Sequence, residues 1–356
     1  MAARLSELNE LAELAELAEL TELAVPVIGA PMAGGASTPE LVAAVNRAGG
    51  LGFLAAGYRS AAAMGEQIAA VRKSTGRPYG VNLFVPAPPA DPAAVAVYRD
   101  RLRPEAERWA VELPEEIGPD RDDWEAKLAA LLADPVPVVS YTFGLPTAEE
   151  AAALRAVGTR QVATVTTPAE ARAAQETGMD ALCVQGPEAG GHRGTHRVTD
   201  PPGELPLLEL LPAVRAVTVL PLIAAGGLGD GPAIAAALRA GAAAVQLGTA
   251  LLRADESGAS AAHRAALTEL PETVVTRAFT GRPARGLRNA FIDRYGPYAP
   301  PAYPEVHHLT APLRAAATRR ADTDAMHLWA GTAHRLARTG PAEAIVTDLW
   351  RSARGV

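Results

Sequence analysis

A single histidine follows two glycines in residues 185–194, a pattern that suits proton transfer. The segment reads QGPEAGGHRG. Gly190 and Gly191 allow the backbone to pass close to a ligand before the chain presents His192. An imidazole titrates near neutral pH and can therefore take or give a proton under ordinary conditions. We predict that His192 is catalytic. His196 follows at a metal-like spacing of four residues, but the glycines argue against a helix and no other ligands are evident, so we predict no metal site.

Two glycine-containing turns, each directly after an apolar run, predict a phosphate site. Their residues are Gly226, Gly227, Gln246, Leu247, Gly248 and Thr249. Glycines let backbone N–H groups converge on an anion, a following helix N-terminus adds its dipole, and Thr249 can donate its hydroxyl. Neither turn has the lysine of a P-loop or the spacing of a Rossmann turn. A nucleoside triphosphate or a Rossmann-bound dinucleotide is therefore not predicted.

Three carboxamide side chains lie in or at the end of apolar runs. They belong to Asn82, Gln185 and Gln246. A buried amide left without hydrogen-bond partners costs about 1–3 kcal/mol, so each needs a partner in the folded protein. Together they suit a ligand with donors and acceptors along one edge. Three separate amides, each satisfied within the core, are the alternative.

The first apolar run of the chain ends in residues that suit a flat ligand. Ala30, Pro31 and Met32 lie at the end of this run, and two glycines come shortly afterwards. Small side chains let a planar ring lie against the backbone, and a methionine thioether can flank it. We predict that these three residues contact a planar ligand.

Eight apolar runs alternate with alanine-rich stretches, and this alternation must position the residues above. The runs span residues 25–31, 51–55, 79–85, 136–142, 160–165, 181–185, 219–225 and 243–247. Continuously apolar runs are typical of parallel strands covered on both faces. Thr38, Thr147 and Thr167 precede helical stretches as cap residues. The pattern predicts an α/β fold, a (β/α)8 TIM barrel whose reactive end is the C-terminal one, with a doubly wound open sheet as the alternative.

Two segments lie before and within the predicted barrel of residues 25–269. Residues 1–24 are a leucine-, glutamate- and alanine-rich leader, which we interpret as a low-complexity extension, with a partner-binding helix as the alternative. Residues 86–135 form a helical insertion after strand three, with helices predicted over 93–101 and 122–132.

A C-terminal loop and helical extension follows the barrel over residues 270–356. We expect it to pack on the barrel, with helices over 311–320 and 322–338. An aromatic and proline-rich loop at its start carries tyrosines that are candidates for closing the pocket, namely Tyr295, Tyr298 and Tyr303.

Composition excludes several classes of protein. Hydrophobic residues make up 49% and charged residues 21% of the 356 residues, which is typical of a globular chain. Cys183 is the only cysteine, so a disulfide within the chain and a CxxC site are impossible. The net charge of −7 and the lack of a basic stripe argue against a nucleic-acid partner. The acidic N-terminus argues against a secretory signal, and no membrane span is predicted, so we predict a cytoplasmic protein.

Several motifs in sequence order resemble those of the nitronate monooxygenases, formerly called 2-nitropropane dioxygenases. They are APMAGG at residues 30–35, GGLGF at 49–53, NLF at 82–84, QG at 185–186, EAGGHRG at 188–194, GG at 226–227 and QLGT at 246–249. The resemblance runs from about residue 25 to the C-terminus and leaves the leader outside. It implies an FMN-containing barrel.

The resemblance also implies roles for individual residues. The backbone around Ala30, Pro31 and Met32 would line the isoalloxazine ring, and Asn82 and Gln185 would hydrogen-bond the ring or the ribityl chain. The phosphate end of FMN would lie against Gly190, Gly227, Gln246, Leu247, Gly248 and Thr249. Gly191 and Gly226 would also contact the cofactor. His192 would be the active-site histidine.

The implied activity is FMN-dependent oxidation of alkyl nitronates, of the propionate 3-nitronate type, with O2. The products would be a carbonyl compound and nitrite, and a neutral nitroalkane would first lose its α-proton to His192. One alternative is an FMN-dependent NAD(P)H reductase of the enoyl-ACP or quinone reductase type on the same barrel. Another is a barrel that binds a phospho-ligand without turning it over.

Overall fold

Eight parallel strands close into a barrel in the computed structural model, which describes residues 23–355. The barrel strands, in order around the ring, are β1 (Val27–Gly29), β2 (Leu51–Ala55), β3 (Gly80–Phe84), β4 (Val138–Thr142), β5 (Arg160–Val165), β6 (Ala181–Gln185), β8 (Leu222–Ala225) and β9 (Ala244–Leu247). Parallel pairing of β1 with both β2 and β9 closes the ring. The predicted (β/α)8 barrel is confirmed, and the open sheet is excluded.

Helices surround the barrel and cover its outer face. They are α1 (Pro39–Arg47), α2 (Ala61–Ser74), α5 (Ala148–Ala156), α6 (Pro168–Thr177), α7 (Leu207–Arg215), α8 (Gly231–Arg239) and α12 (Ala342–Ala353). The predicted caps are confirmed, because the side chains of Thr38, Thr147 and Thr167 accept backbone N–H bonds from the first turns of α1, α5 and α6.

Two hydrophobic layers explain why the strands are apolar on both faces. Leu54, Val81 and Val139 belong to the cluster that the strands share with the helices, while Phe53 and Cys183 belong to the smaller cluster inside the barrel. Cys183 therefore points inward. Burial raises the pKa of its thiol to about 12, so the thiolate is not available as a nucleophile at neutral pH.

Two helices, α3 (Pro92–Trp109) and α4 (Trp124–Ala133), lie in the connection between β3 and β4. Glu105 of α3 is almost fully buried. Its carboxylate accepts hydrogen bonds from Trp109 on the same helix and from Arg294 and Tyr295 of α10 (Ala290–Tyr295). This connection is thereby tied to the C-terminal part of the chain.

The chain after β9 returns across the C-terminal end of the barrel. It contains α9 (Ala261–Glu269), β10 (Thr273–Thr276), β11 (Ala284–Leu287), α10 and α11 (Glu305–Arg320) before α12. Strands β10 and β11 are antiparallel and pair with the two-residue strand β7 (Gly191–His192). The segment after β6 is thus joined to a sheet made by the C-terminal part.

The helix predicted over residues 322–338 is wrong, whereas the one over 311–320 corresponds to the C-terminal part of α11. Residues 326–330 run alongside β11 instead, because Leu287 donates its N–H to Leu328 and Trp329 forms an antiparallel bridge with Gly286. Only a short 3-10 helix, His334–Leu336, forms in the predicted range. The predictions for residues 1–22 of the leader lie outside the described residues. Within residues 23–355, no helix has the length and apolar character of a membrane span.

Candidate functional site

A cavity of about 480 Å³ opens at the C-terminal end of the barrel. Cavities that bind small molecules and cofactors usually measure about 300–1,000 Å³. The predicted residues that line it are Ala30, Pro31, Met32, Asn82, Gln185, Gly190, Gly191, His192, Gly226, Gly227, Gln246, Gly248 and Thr249. Leu247 differs, because its side chain packs in the hydrophobic cluster between barrel and helices. The fold therefore brings together residues that are spread over more than 200 positions of the chain.

The double glycine allows His192 to reach this cavity. Gly191 has a φ of +77°, a conformation that favours glycine. A Cβ on Gly190 would lie 2.5 Å from the backbone nitrogen of Gly331, so only glycine fits against that segment. In β7, His192 pairs with Ala284 of β11. The histidine is thus held by a strand from the C-terminal part of the chain.

The hydrogen bonds of His192 define its tautomer. Its Nε2 lies 2.9 Å from Oγ1 of Thr280, and that hydroxyl lies 3.3 Å from the carbonyl oxygen of Arg282. A carbonyl can only accept, and the hydroxyl has one proton to donate. Both bonds form together only when Nε2 carries the ring proton. In this arrangement Nδ1 is the basic nitrogen of His192.

The surroundings of His192 keep its ring neutral. Burial, together with the nearby positive charges of Arg282 and Arg314, lowers its pKa to about 3. The imidazole also contacts the rings of Phe143, Tyr303 and Trp329 at 5.5–5.7 Å between centroids. In the ligand-free site, the ring of His192 is therefore neutral at neutral pH.

The three carboxamides play different parts. Gln185 holds the histidine segment, because its Nε2 donates to the carbonyl oxygen of His192 and its Oε1 accepts from the N–H of Gly194. Asn82 donates its Nδ2 to Ser140 and Thr142, which leaves Oδ1 without a partner in residues 23–355. Gln246 lines the cavity, and its side chain forms no hydrogen bond within the described chain. Only Gln246 and the Asn82 oxygen remain fully available to a ligand.

The predicted phosphate end lies beside β8 and β9, the seventh and eighth strands of the barrel. The Thr249 hydroxyl oxygen accepts the N–H of Gly331, which leaves its proton free to be donated. Asp230 caps α8 by accepting the N–H of Ala233. The dipole of α8, predicted to assist, thus already has a carboxylate at its N-terminus. An anion would instead meet the glycine amides and Thr249.

Several cavity residues had no signal in the sequence. They are Tyr58, His263, Thr280, His307, Arg314 and His327. All but Tyr58 come from the part of the chain after β9, where no motif or strand end marks them. The two adjacent histidines at 307–308, soon after Tyr303, were the one local hint.

The tyrosines expected to close the pocket behave differently from one another. Tyr303 is buried against His192 and Phe143. Tyr295 is buried at α10, where its hydroxyl bonds Glu105. Tyr298 is 52% exposed and contacts Arg101. Of the three, only Tyr303 lies next to the histidine, so the expectation is wrong for Tyr295 and Tyr298.

A family model described as nitronate monooxygenase matches residues 17–352. The chain belongs to the nitronate monooxygenase family. The match covers the barrel, the insertion and the C-terminal part, and it begins a few residues before the resemblance found in the sequence. Members of this family are flavin-dependent oxidoreductases that oxidise nitronates or nitroalkanes.

Two similar proteins support this family assignment. A probable nitronate monooxygenase of Staphylococcus aureus is 36% identical over 332 residues, which cover 91% of this chain and 93% of the relative. A solved nitroalkane oxidase from Streptomyces ansochromogenes is 51% identical, with a TM-score of 0.91 over 96% of this chain and 98% of that one.

A second group of similar structures is more distant. FabK from Thermotoga maritima is 26% identical, with a TM-score of 0.72 over 95% of this chain and 96% of that one. Its similarity extends over almost the whole nitronate monooxygenase fold, so the barrel alone does not distinguish the two groups.

Proposed function

We propose that this protein is an FMN-dependent enzyme that oxidises alkyl nitronates with O2 to a carbonyl compound and nitrite. One observation carries the proposal. The neutral ring of His192 lies near the positive charges of Arg282 and Arg314, in a cavity large enough for a flavin. A site with this charge attracts a substrate that is already an anion. A cytoplasmic location remains a prediction from the sequence.

The residues of the cavity fit FMN. Gln246 and the Asn82 oxygen offer hydrogen-bond groups without protein partners within the described chain, as a polar ring edge or a ribityl chain requires. A Cβ on Gly248 would lie 3.4 Å from Cβ of Ala30 and would fill part of the cavity floor. The Thr249 hydroxyl and the glycine turns suit the phosphate. FMN would supply the electron acceptor for oxidation of the nitronate carbon.

The pKa of His192 favours the anionic substrate over the neutral one. The lowered pKa makes His192 a weaker base toward a neutral nitroalkane than a free imidazole would be. A nitronate has already lost this proton. His192 would then contact and orient the nitronate, and Thr280 would hold the ring in place.

Anaerobic mixing of the purified flavoprotein with propionate 3-nitronate tests this function. We expect the nitronate to reduce the flavin within the time of one turnover, which lowers the absorbance at 450 nm. In air, we expect turnover to release nitrite in proportion to the O2 consumed. Flavin that stays oxidised with the nitronate would contradict the proposal.

The similarity to FabK keeps an FMN-dependent NAD(P)H reductase as a second candidate. Anaerobic mixing with NADH and with NADPH, at equal concentrations, provides the comparison. Fast bleaching by either nicotinamide, with no response to the nitronate, would assign the reductase activity to this barrel and overturn the first proposal.

A further inference from the structure

Arg314 is a largely buried cation without an acidic partner. Its Nε donates to the Thr310 hydroxyl at 3.1 Å, and its Nη2 donates to the carbonyl oxygen of His307 at 2.7 Å. No carboxylate in residues 23–355 forms an ion pair with it, and no described protein atom accepts a hydrogen bond from Nη1. Burying a charge without a counterion is costly, so such a group is expected to meet an anion.

The side chain faces the cavity. His307 and Arg314 lie seven residues apart on α11, which places them on one face of the helix, and both line the cavity. Burial lowers the pKa of His192, of His307 and of His327, and the positive charge of Arg314 lowers each of them further. These cavity histidines are neutral and do not compensate its charge.

The position of Arg314 separates it from the predicted phosphate end. His307, which Arg314 contacts, stacks on Tyr58 at 4.1 Å between ring centroids, and Tyr58 follows β2 and packs on Phe84 of β3. The glycine turns follow β8 and β9. In the closed ring of eight strands, β3 lies across the mouth from β8.

The acidic groups near the cavity are already engaged elsewhere. Glu188 lines it, but its carboxylate accepts the N–H of Leu207 at the start of α7. Asp122 is paired with Lys127 and accepts the N–H of Tyr58. Neither is available to neutralise Arg314, which leaves a ligand as its counterion.

We propose that Arg314 binds a carboxylate at the end of the substrate remote from the nitronate carbon, and so selects carboxylated nitronates over simple alkyl nitronates. This inference rests on the proposed function. A guanidinium fixed by two of its nitrogens presents the third in a defined direction, which suits a carboxylate oxygen. His192 lies next to the reacting end and Arg314 next to the other.

Kinetics with two nitronates of similar length test this specificity. We expect Arg314→Gln to lower kcat/KM for propionate 3-nitronate about 10- to 100-fold, mainly through KM, because a hydrogen bond to a charged group is lost. For propyl 1-nitronate, which lacks the carboxylate, kcat/KM should change less than about threefold. Arg314→Lys should recover part of the loss. Arg319→Gln, at an exposed position of α11, is the matched control.

A binding measurement keeps the result independent of turnover. Succinate has two carboxylates at nearly the spacing of the substrate anions, and succinamide, of the same length, has none. In titrations followed by flavin absorbance, we expect Arg314→Gln to weaken succinate binding tenfold or more and to leave succinamide binding unchanged.

Three outcomes would overturn the inference. Equal losses for both nitronates, with an altered flavin spectrum or flavin content, would assign Arg314 to the cofactor. No change with either nitronate would leave Arg314 a structural residue. In both cases nitronate oxidation by the unmodified protein would still stand. If the unmodified protein oxidises neither nitronate, the proposed function fails, and the specificity assigned to Arg314 fails with it.

Discussion

At the scale of single residues, the candidate site depends on groups that are distant in sequence from His192. Thr280 fixes the protonated ring nitrogen. Burial, together with the charges of Arg282 and Arg314, keeps the ring neutral. Gln185 is predicted to be a flavin ligand. Its side-chain nitrogen and oxygen both form hydrogen bonds that hold the histidine segment. A remaining hydrogen-bonding capacity allows it to contact a ligand as well, so its role toward FMN stays a prediction.

Replacing Thr280 by valine tests the orientation of His192. Without the hydroxyl, Nε2–H loses its acceptor in a buried site, which costs about 1–3 kcal/mol, and the ring becomes free to change tautomer. We expect kcat/KM for the nitronate to fall about tenfold or more and its pH profile to change shape, with normal flavin content. Steady-state rates between pH 5 and 9 provide the measurement.

Two further variants test whether the effect comes from the Thr280 hydroxyl itself. Thr280→Ser keeps the hydroxyl and should restore most of the activity. Thr276→Val removes a nearby buried hydroxyl that bonds only the N–H of Ala278, and it should leave the pH profile unchanged. Equal effects of Thr280→Val and Thr276→Val would show that Thr280 only supports the local fold.

At the scale of elements, the sequence predicted the barrel well because each strand is locally distinct. The runs at residues 160–165 and 181–185 match β5 and β6 to the residue, since both are apolar and bounded by helices. The segment over 322–338 has a helical composition, yet its backbone bonds β11 and its Leu328 side chain is buried. Such tertiary pairing leaves no local signal.

The candidate site likewise contains residues that a local sequence pattern predicts and residues that no local pattern predicts. Glycine turns and strand-end amides mark the predicted cofactor end, because backbone approach and buried amides require particular residue types. The end formed by α11 and the loop before it has no such requirement. Arg314 and His307 could come from any helix that happens to cross the barrel mouth, so only the folded chain reveals their place.

A variant at Glu105 tests how the insertion is held to the C-terminal part. Glu105→Ala removes the acceptor of two buried groups, Trp109 Nε1 and the Tyr295 hydroxyl. Its arginine partners are half exposed and regain water, so they add little. We expect the free energy of unfolding to fall by about 2–4 kcal/mol in chemical denaturation.

Glu107 supplies the control for that measurement. It lies on the same helix, and its side chain is exposed. Glu107→Ala should change the free energy of unfolding by less than about 0.5 kcal/mol. A similar loss for both variants would mean that helix propensity, rather than the buried hydrogen bonds, explains the effect.

At the scale of the whole molecule, buried histidines make stability depend on pH. Burial lowers the pKa of His192, His263, His307 and His327 in the folded protein. Between the folded and unfolded pKa values, the unfolded chain binds more protons than the folded chain does. The stabilisation is therefore complete above pH 6.5 and is lost as the pH falls below it.

Asp122 acts in the opposite sense. Burial raises its pKa to about 6, so the fold favours its neutral form, and stability from this group increases as the pH falls through 6. As the pH falls, the four histidines therefore lower the stability of the fold, and Asp122 raises it. We expect the free energy of unfolding to be lower at pH 5.5 than at pH 7.5, with each histidine contributing at most about 1.4 kcal/mol per pH unit.

Urea unfolding of the holoprotein at pH 7.5, 6.5 and 5.5 measures this dependence. His327 packs against the rings of Phe279 and Trp329, so His327→Phe keeps an aromatic ring there and should reduce the slope by the share of one histidine. A free energy that stays level or rises toward pH 5.5 would contradict the argument.

The pairing of β7 with β11 has a consequence for the order in which the molecule is made. His192 is synthesised early, but the strand that holds it comes at residues 284–285, and Thr280 only shortly before. A nascent chain that has reached residue 270 already contains all eight barrel strands. It still lacks the groups that orient its histidine. The groups that orient His192 are therefore added only after all eight barrel strands have been synthesised.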